Sequence, residues 1–218
     1  MSPNLQPSGK TTASHRGLIP PYIVLQDFLS EGTVADLLDF ALSRQSDFEP
    51  TRLRRDSLEP SNRISSGSRN LGTYREMFKS KMLGLVPELT ARLKMPSFDP
   101  SAVETEIVAH GDGAFYKRHI DTQTALYQDI DQIRLLSGVY YFNAEPKSFG
   151  GGALRLYAIG DAAAEDFVDI EPLRNSFLVF PSWAPHEVTT VTCPSKRFID
   201  SRFAINCWVH RRKAVKGK

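Results

Sequence analysis

The chain has 218 residues, with 27 Lys plus Arg against 25 Asp plus Glu and a formal charge of +2, too even a balance to advertise a nucleic-acid or membrane partner. Hydrophobic residues at 41% and 13 Phe supply a sizeable core, and the length suits one large domain, as in many all-β barrels. Two cysteines without metal-ligand spacing, Cys193 and Cys207, argue against a disulfide-framed secreted fold and for a reducing compartment; with no long apolar run and no export signal, a cytoplasmic location away from the membrane is expected.

Residues 1–17 are rich in Ser, Pro, Thr and Gly, the composition of a disordered leader. Pro20-Pro21 opens the folded part, expected to run as a single domain over 18–210, with a short strand at Tyr22–Leu25. Ser30 is placed to cap a helix from Glu31 to Arg44 whose apolar stripe is Val34, Leu37, Leu38, Ala41 and Leu42. A second helix is predicted over Tyr74–Lys94, with Met77, Phe78, Met82, Leu85, Leu89 and Leu93 inward and Gly84 and Pro87 as points of interruption. Between the helices, Pro50–Gly72 carries Arg52, Arg54, Arg55, Arg63 and Arg69. It reads either as a solvated loop or as a lid whose arginines meet an acidic partner.

From Val103 onward the period becomes strand-like, starting with the alternation Val103-Thr105-Ile107-Ala109. Further strands are predicted at Ala114–His119, Leu135–Phe142, Ala153–Tyr157, Phe167–Ile170, Ser176–Phe180, Glu187–Thr192 and Arg202–His210. Short strands punctuated by Gly, Pro and Asn argue a closed double-sheet β fold with its core over 103–210. The helices come first, so they are expected to pack together on one outer face. Residues 211–218 form a basic tail.

His119-Ile120-Asp121 and the distant His186 are the candidate metal ligands. Two imidazoles and one carboxylate without a fourth protein ligand make the facial triad of non-heme Fe(II) oxygen chemistry. Residues i and i+2 of a strand share a face, so His119 and Asp121 can hold one ion, while His186 must arrive from another strand. By itself the triplet equally fits a core histidine beside an Asp that caps a helix. The same ligand types also suit a hydrolytic zinc, and a jelly-roll module can bind a metal as a non-catalytic sensor.

Arg202 is the next clue. In Arg202–Trp208 the alternation puts Arg202, Ala204, Asn206 and Trp208 on one face and Phe203, Ile205 and Cys207 on the other. If both faces are buried, Arg202 needs an anion. A dicarboxylate that chelates the metal at one end and meets the guanidinium at the other satisfies it; an internal Arg–Glu bridge is the competing explanation. Gly150-Gly151-Gly152 is followed by no helix signal, which favours a tight strand turn over a phosphate cradle. His15 and His110 are expected in solvent, and His210 at the end of the last strand.

These segments resemble the prolyl-hydroxylase-like 2-oxoglutarate/Fe(II) dioxygenases over roughly Val103–His210. The resemblance is carried by Gly111–Asp121, Val139–Asn143, Gly151–Leu156, Asp169–Pro172, Pro185–Val188 and Arg202–Trp208, in family order. It implies a mainly β double-stranded β-helix, or jelly roll, with flanking helices. It also implies Fe(II) at His119, Asp121 and His186, with 2-oxoglutarate and O2 as cosubstrates and ascorbate as a candidate reductant. Arg202 would bind the distal carboxylate with help from Tyr141, and Asn206 and Trp208 would line the same pocket. Tyr116 and Arg118 are the candidate substrate contacts.

The implied reaction splits 2-oxoglutarate into succinate and CO2 and hydroxylates an unactivated C–H bond. A prolyl residue of a protein or peptide is the first candidate substrate, and a free amino acid or small natural product the alternative. Asp121 favours hydroxylation over halogenation, for which related enzymes carry a small residue in its place. The nucleic-acid demethylase branch has a second Arg near the position of Trp208 and is disfavoured. Two features depart from the family. A longer segment, Cys193–Asp200, precedes Arg202 and contains a competing Arg197, and Ala109 stands where the oxygen-sensing members carry a pocket tyrosine. The loops Thr122–Gln132 and Pro50–Gly72 are candidate lids.

Overall fold

The computed structural model describes residues 17–51, 59–122, 131–160 and 166–212. The leader through residue 16, Arg52, Arg54 and Arg55, the centre of the 122–132 loop and the tail from 213 lie outside the described residues. In chain order the elements are β1 (Ile23–Leu25), α1 (Glu31–Ser43), β2 (Glu49–Pro50), β3 (Arg63–Ile64), β4 (Ser66–Ser68), α2 (Tyr74–Arg92), β5 (Ala102–His110) and β6 (Phe115–His119). They continue with β7 (Gln132–Tyr141), β8 (Gly150–Gly151), β9 (Leu154–Tyr157), β10 (Phe167–Ile170), β11 (Ser176–Pro181), β12 (His186–Val188), β13 (Val191–Thr192) and β14 (Arg202–Arg212).

Two antiparallel sheets form the body of a jelly roll. The larger has the order β1-β11-β7-β14-β5-β4-β2 and the smaller β10-β9-β12-β6-β3, beside a β13-β8 pair. Alternation along the strands divides the larger sheet into two buried faces. Ile107, Tyr140, Phe177, Phe203, Ile205, Cys207 and Val209 join the core beneath the helices. Val108, Val139, Tyr141, Leu178, Phe180 and Ala204 instead meet Leu154, Leu156 and Ile170 of the smaller sheet. Each such aliphatic or aromatic side chain stabilises the fold by about 1.5–3 kcal/mol when fully buried.

The helices lie on the outer face of the larger sheet, as expected. Ser30 Oγ accepts the Thr33 N–H at 3.3 Å, and α1 buries Val34, Leu37 and Ala41. Helix α2 buries Phe78, Met82, Val86 and Leu89 and, against the expectation of a break, runs through Gly84 and Pro87. The missing Pro87 N–H is tolerated because the helix is pinned by that buried stripe. Thr90 Oγ1 also donates to the Val86 and Pro87 carbonyls, at 2.9 and 3.0 Å.

The single strand expected over Glu187–Thr192 is two. β12 pairs with β9 and β6, whereas β13 pairs with β8, so the chain changes partners at Thr189-Thr190. The Arg-rich stretch also differs from a free loop where it is described. β3 pairs with β6 and β4 with β5, because Arg63 and Arg69 find their acidic partners on β5 of the same chain, Glu106 at 3.6 Å and Glu104 at 2.6 Å.

Candidate active site

The site is assembled by a bulge. Across β6 and β12, His119 pairs with His186 and Tyr116 with Val188, with a register slip between; three steps along β6 match two along β12. An unbroken strand would point Tyr116 and His119 to opposite faces. The extra residue turns both to one side, and their rings stack with centroids 3.5 Å apart. Arg118 is left outside, its guanidinium 4.2 Å over the Tyr157 ring.

His119, Asp121 and His186 come together, each offering one ligand atom within 4.8 Å of the others. Both imidazole Nε2 atoms are 3.7 Å from Asp121, one from each carboxylate oxygen. His119 Nδ1 lies 2.8 Å from the Lys117 carbonyl and His186 Nδ1 2.9 Å from the Ala184 carbonyl. A carbonyl can only accept, so both rings carry hydrogen on Nδ1 and turn Nε2 inward, the orientation in which metal-bound histidines are held. Ser137 donates its hydroxyl to Asp121 Oδ2 at 2.6 Å, with Ser182 Oγ 2.9 Å from Ser137. The Asp121 and Thr122 N–H groups both donate to the Ser182 carbonyl, which fixes the turn that carries the carboxylate.

Electrostatics favour a neutral His119 beside an ionised Asp121. Burial, then the charge of His186, holds His119 down at about 3, so the ring is neutral near pH 7. Burial alone would raise the Asp121 carboxyl, but His186, His119 and the Ser137 hydrogen bond together hold it below the ordinary range. Two imidazole nitrogens and one carboxylate suit Fe(II).

The adjoining cavity is lined by Tyr116, Val139, Leu154, Asn206 and Trp208 as well as the triad, with Arg202, His110 and Arg63 among its polar members. Arg202 is 1% exposed. Its Nε donates to the Gly152 carbonyl at 2.7 Å, and Nη1 is 3.4 Å from His110 Nδ1. Among the described residues neither Nη2 nor the hydroxyl of Tyr141 has a hydrogen-bond acceptor or donor in good geometry; the two groups face each other, with the Tyr141 ring 4.8 Å from the guanidinium carbon. Among the described residues no Asp or Glu pairs with Arg202, so the internal Arg–Glu bridge is not formed there. A buried cation with a free N–H next to a free phenol fits a carboxylate from outside the chain. Arg197 is tied at 2.7 Å to Asp200, with its own side chain 68% exposed.

The cavity wall is braced by charge pairs. Arg63 stands 4.8 Å over Tyr116 and pairs with Glu106. Arg134 stands 4.2 Å over Trp208 and pairs with Glu104 at 2.6 Å. Glu104 also receives Arg69 and lies 3.4 Å from His210. His210 is therefore a buried residue within β14, 8% exposed, and not a strand end.

Sequence reasoning missed three contributors. Ser137 lies two and four residues before Val139 and Tyr141 on one strand face, but nothing in the sequence links it to Asp121. Arg63 was assigned to a loop. His110, expected in solvent, is 3% exposed. Glu106, Val108 and His110 share one face of β5, so the alternation did carry the signal, and Ala109 faces the helices instead.

Residues 105–210 match the 2OG-Fe(II) oxygenase superfamily. The chain is 36% identical over 146 residues to an uncharacterized PKHD-type hydroxylase of Synechocystis sp., a match covering 63% of this chain and 45% of the relative. The chain thus spans less than half the length of that relative. Among solved structures it is similar to a Pseudomonas putida prolyl-4-hydroxylase, with a TM-score of 0.65, 22% identity and coverage of 88% and 92%. It is similar as well to a Trichoplax adhaerens prolyl hydroxylase in complex with a hypoxia-inducible-factor peptide fragment, with a TM-score of 0.64, 22% identity and coverage of 87% and 83%.

Proposed function

We propose, from the match of residues 105–210 to the 2OG-Fe(II) oxygenase superfamily, that the chain is a 2-oxoglutarate- and Fe(II)-dependent dioxygenase that hydroxylates an unactivated C–H bond. The observation that carries the reading is the convergence of His119, Asp121 and His186 beside a cavity that contains a buried guanidinium with a free N–H. Iron and 2-oxoglutarate, with O2, supply the oxidising power, and 2-oxoglutarate ends as succinate and CO2.

The protein's own part is to hold and exclude. His119, Asp121 and His186 are the residues that would hold Fe(II), as two imidazoles and one carboxylate. The Lys117 and Ala184 carbonyls fix the two imidazole tautomers, and Ser137 fixes the carboxylate. Arg202 and Tyr141 take the distal carboxylate of 2-oxoglutarate, and Asn206 and Trp208 wall its chain. Tyr116 covers His119 by stacking, and burial pushes its phenol up to about 12, so it stays neutral at the cavity mouth.

A prolyl residue in a protein or peptide is the proposed substrate class. Support comes from the likeness to prolyl hydroxylases, one of them holding a peptide fragment. The test mixes the protein with Fe(II) and 2-oxoglutarate without air, then admits O2 with and without ascorbate and measures succinate. Mass spectrometry of proline-containing peptides and of free amino acids then looks for one added oxygen. Succinate formation that is lost in His186→Ala is expected. Activity that persists without O2 or 2-oxoglutarate would replace the reading with hydrolysis, and metal binding without turnover would make the protein a sensor.

A further inference from the structure

Besides Arg202 Nη2, the cavity lining contributes a second buried polar atom without a partner among the described residues, and it belongs to His110. β5 and β14 pair His110 directly with Arg202, and both side chains line the cavity. Arg202 Nη1 lies 3.4 Å from His110 Nδ1. A guanidinium can only donate, so for this contact to be attractive Nδ1 must accept and the ring hydrogen must sit on Nε2. That nitrogen is buried and has no partner among the described residues. A buried N–H without an acceptor is costly, and next to a buried cation the natural acceptor is an anion.

We propose that His110 is a third binding residue for the dicarboxylate, donating its Nε2–H to the carboxylate held by Arg202. This rests on the 2-oxoglutarate reading above. The ring is suited to the role because it stays neutral: burial, then the charges of Arg202 and Arg63, depress its pKa well below the ordinary value. A charged ring would be repelled by Arg202. A neutral one supplies a donor and at the same time takes up one N–H of the guanidinium, which orients the fork. Tyr141 faces the same guanidinium, so three donors from three adjacent strands, β5, β14 and β7, define one anion site.

The experiment separates the two ring nitrogens. His110→Asn keeps a polar atom near the Nδ1 position and loses Nε2, whereas His110→Gln reaches the Nε2 position. Binding of 2-oxoglutarate to the Mn(II)-loaded protein is followed by calorimetry, without turnover, alongside 2-oxobutanoate, a keto acid that lacks the distal carboxylate. Expected is a weakening of 2-oxoglutarate binding of about tenfold or more in His110→Asn, substantial rescue in His110→Gln, and no change for 2-oxobutanoate in either. Equal 2-oxoglutarate affinity in wild type and His110→Asn overturns the proposal. So does equal weakening for both keto acids, which would mark a general structural role. If the wild-type protein itself binds no 2-oxoglutarate, the parent reading fails.

Discussion

Gly152 is the most exacting position in the anion site, and Gly152→Ala tests the architecture directly. Its φ is +71°, and a Cβ built there would lie 2.6 Å from Arg202 Cδ, 2.9 Å from Val191 Cγ2 and 3.1 Å from Arg202 Nε. Arg202 cannot swing away cheaply, because its Nε is bonded to the Gly152 carbonyl and its side chain is enclosed. A left-handed backbone costs a non-glycine residue about 1–2 kcal/mol, and overpacking a filled interior about 1–3 kcal/mol. The sum, about 2–5 kcal/mol, lowers Tm by roughly 5 °C or more for a chain of this size. Gly150→Ala is the control, since its Cβ would meet nothing within 4 Å. Thermal melts of both variants, with calorimetric titration of 2-oxoglutarate, are the assay. A Gly152→Ala protein as stable as the Gly150→Ala control, with wild-type affinity for the keto acid, would refute the claim that this backbone and Arg202 are locked together.

Arg202→Ala should raise the 2-oxoglutarate concentration needed for half-maximal succinate formation far more than Arg197→Ala, and the reverse ranking would move the anion clamp to Arg197. Ser137→Ala removes the 2.6 Å hydrogen bond to Asp121 and should weaken metal binding about 10- to 100-fold, read by competition with a fluorescent chelator; unchanged affinity would show that the turn at Ser182 alone positions the carboxylate. Metal-free protein should lose stability on acidification. His119 titrates at about 3 when folded and at about 6.5 when unfolded, so between those values the unfolded chain binds the extra proton. Stability therefore rises with pH across that window, by at most about 1.4 kcal/mol per unit from this ring, and is fully present above it. Denaturant midpoints measured from pH 4 to 7 should fall towards acid in wild type and less steeply in His119→Gln, and equal slopes would contradict the burial of a neutral imidazole.

Strand phase is a local property and holds in the folded chain. Residues two apart on one strand share a face whatever they pair with, so Arg202, Asn206 and Trp208, or Val139 and Tyr141, could be grouped before any partner was known. The helix stripes were readable for the same reason. Ser30 and the Val34–Ala41 face needed nothing beyond the helical repeat.

What the linear order concealed depended on pairing between distant strands. The slip between β6 and β12 turns Tyr116 towards His119 and Arg118 away from it, and no pattern within Phe115–His119 announces an extra residue. The burial of His110 and Arg63 follows from β14, β6 and β5 lying beside them, and the bond from Ser137 to Asp121 joins two segments of unrelated sequence. The residue types and their periodicity determined which side chains were chemically equipped and which shared a strand face. Only the tertiary structure decided which of them meet, because register, bulges and burial arise between strands and not along one.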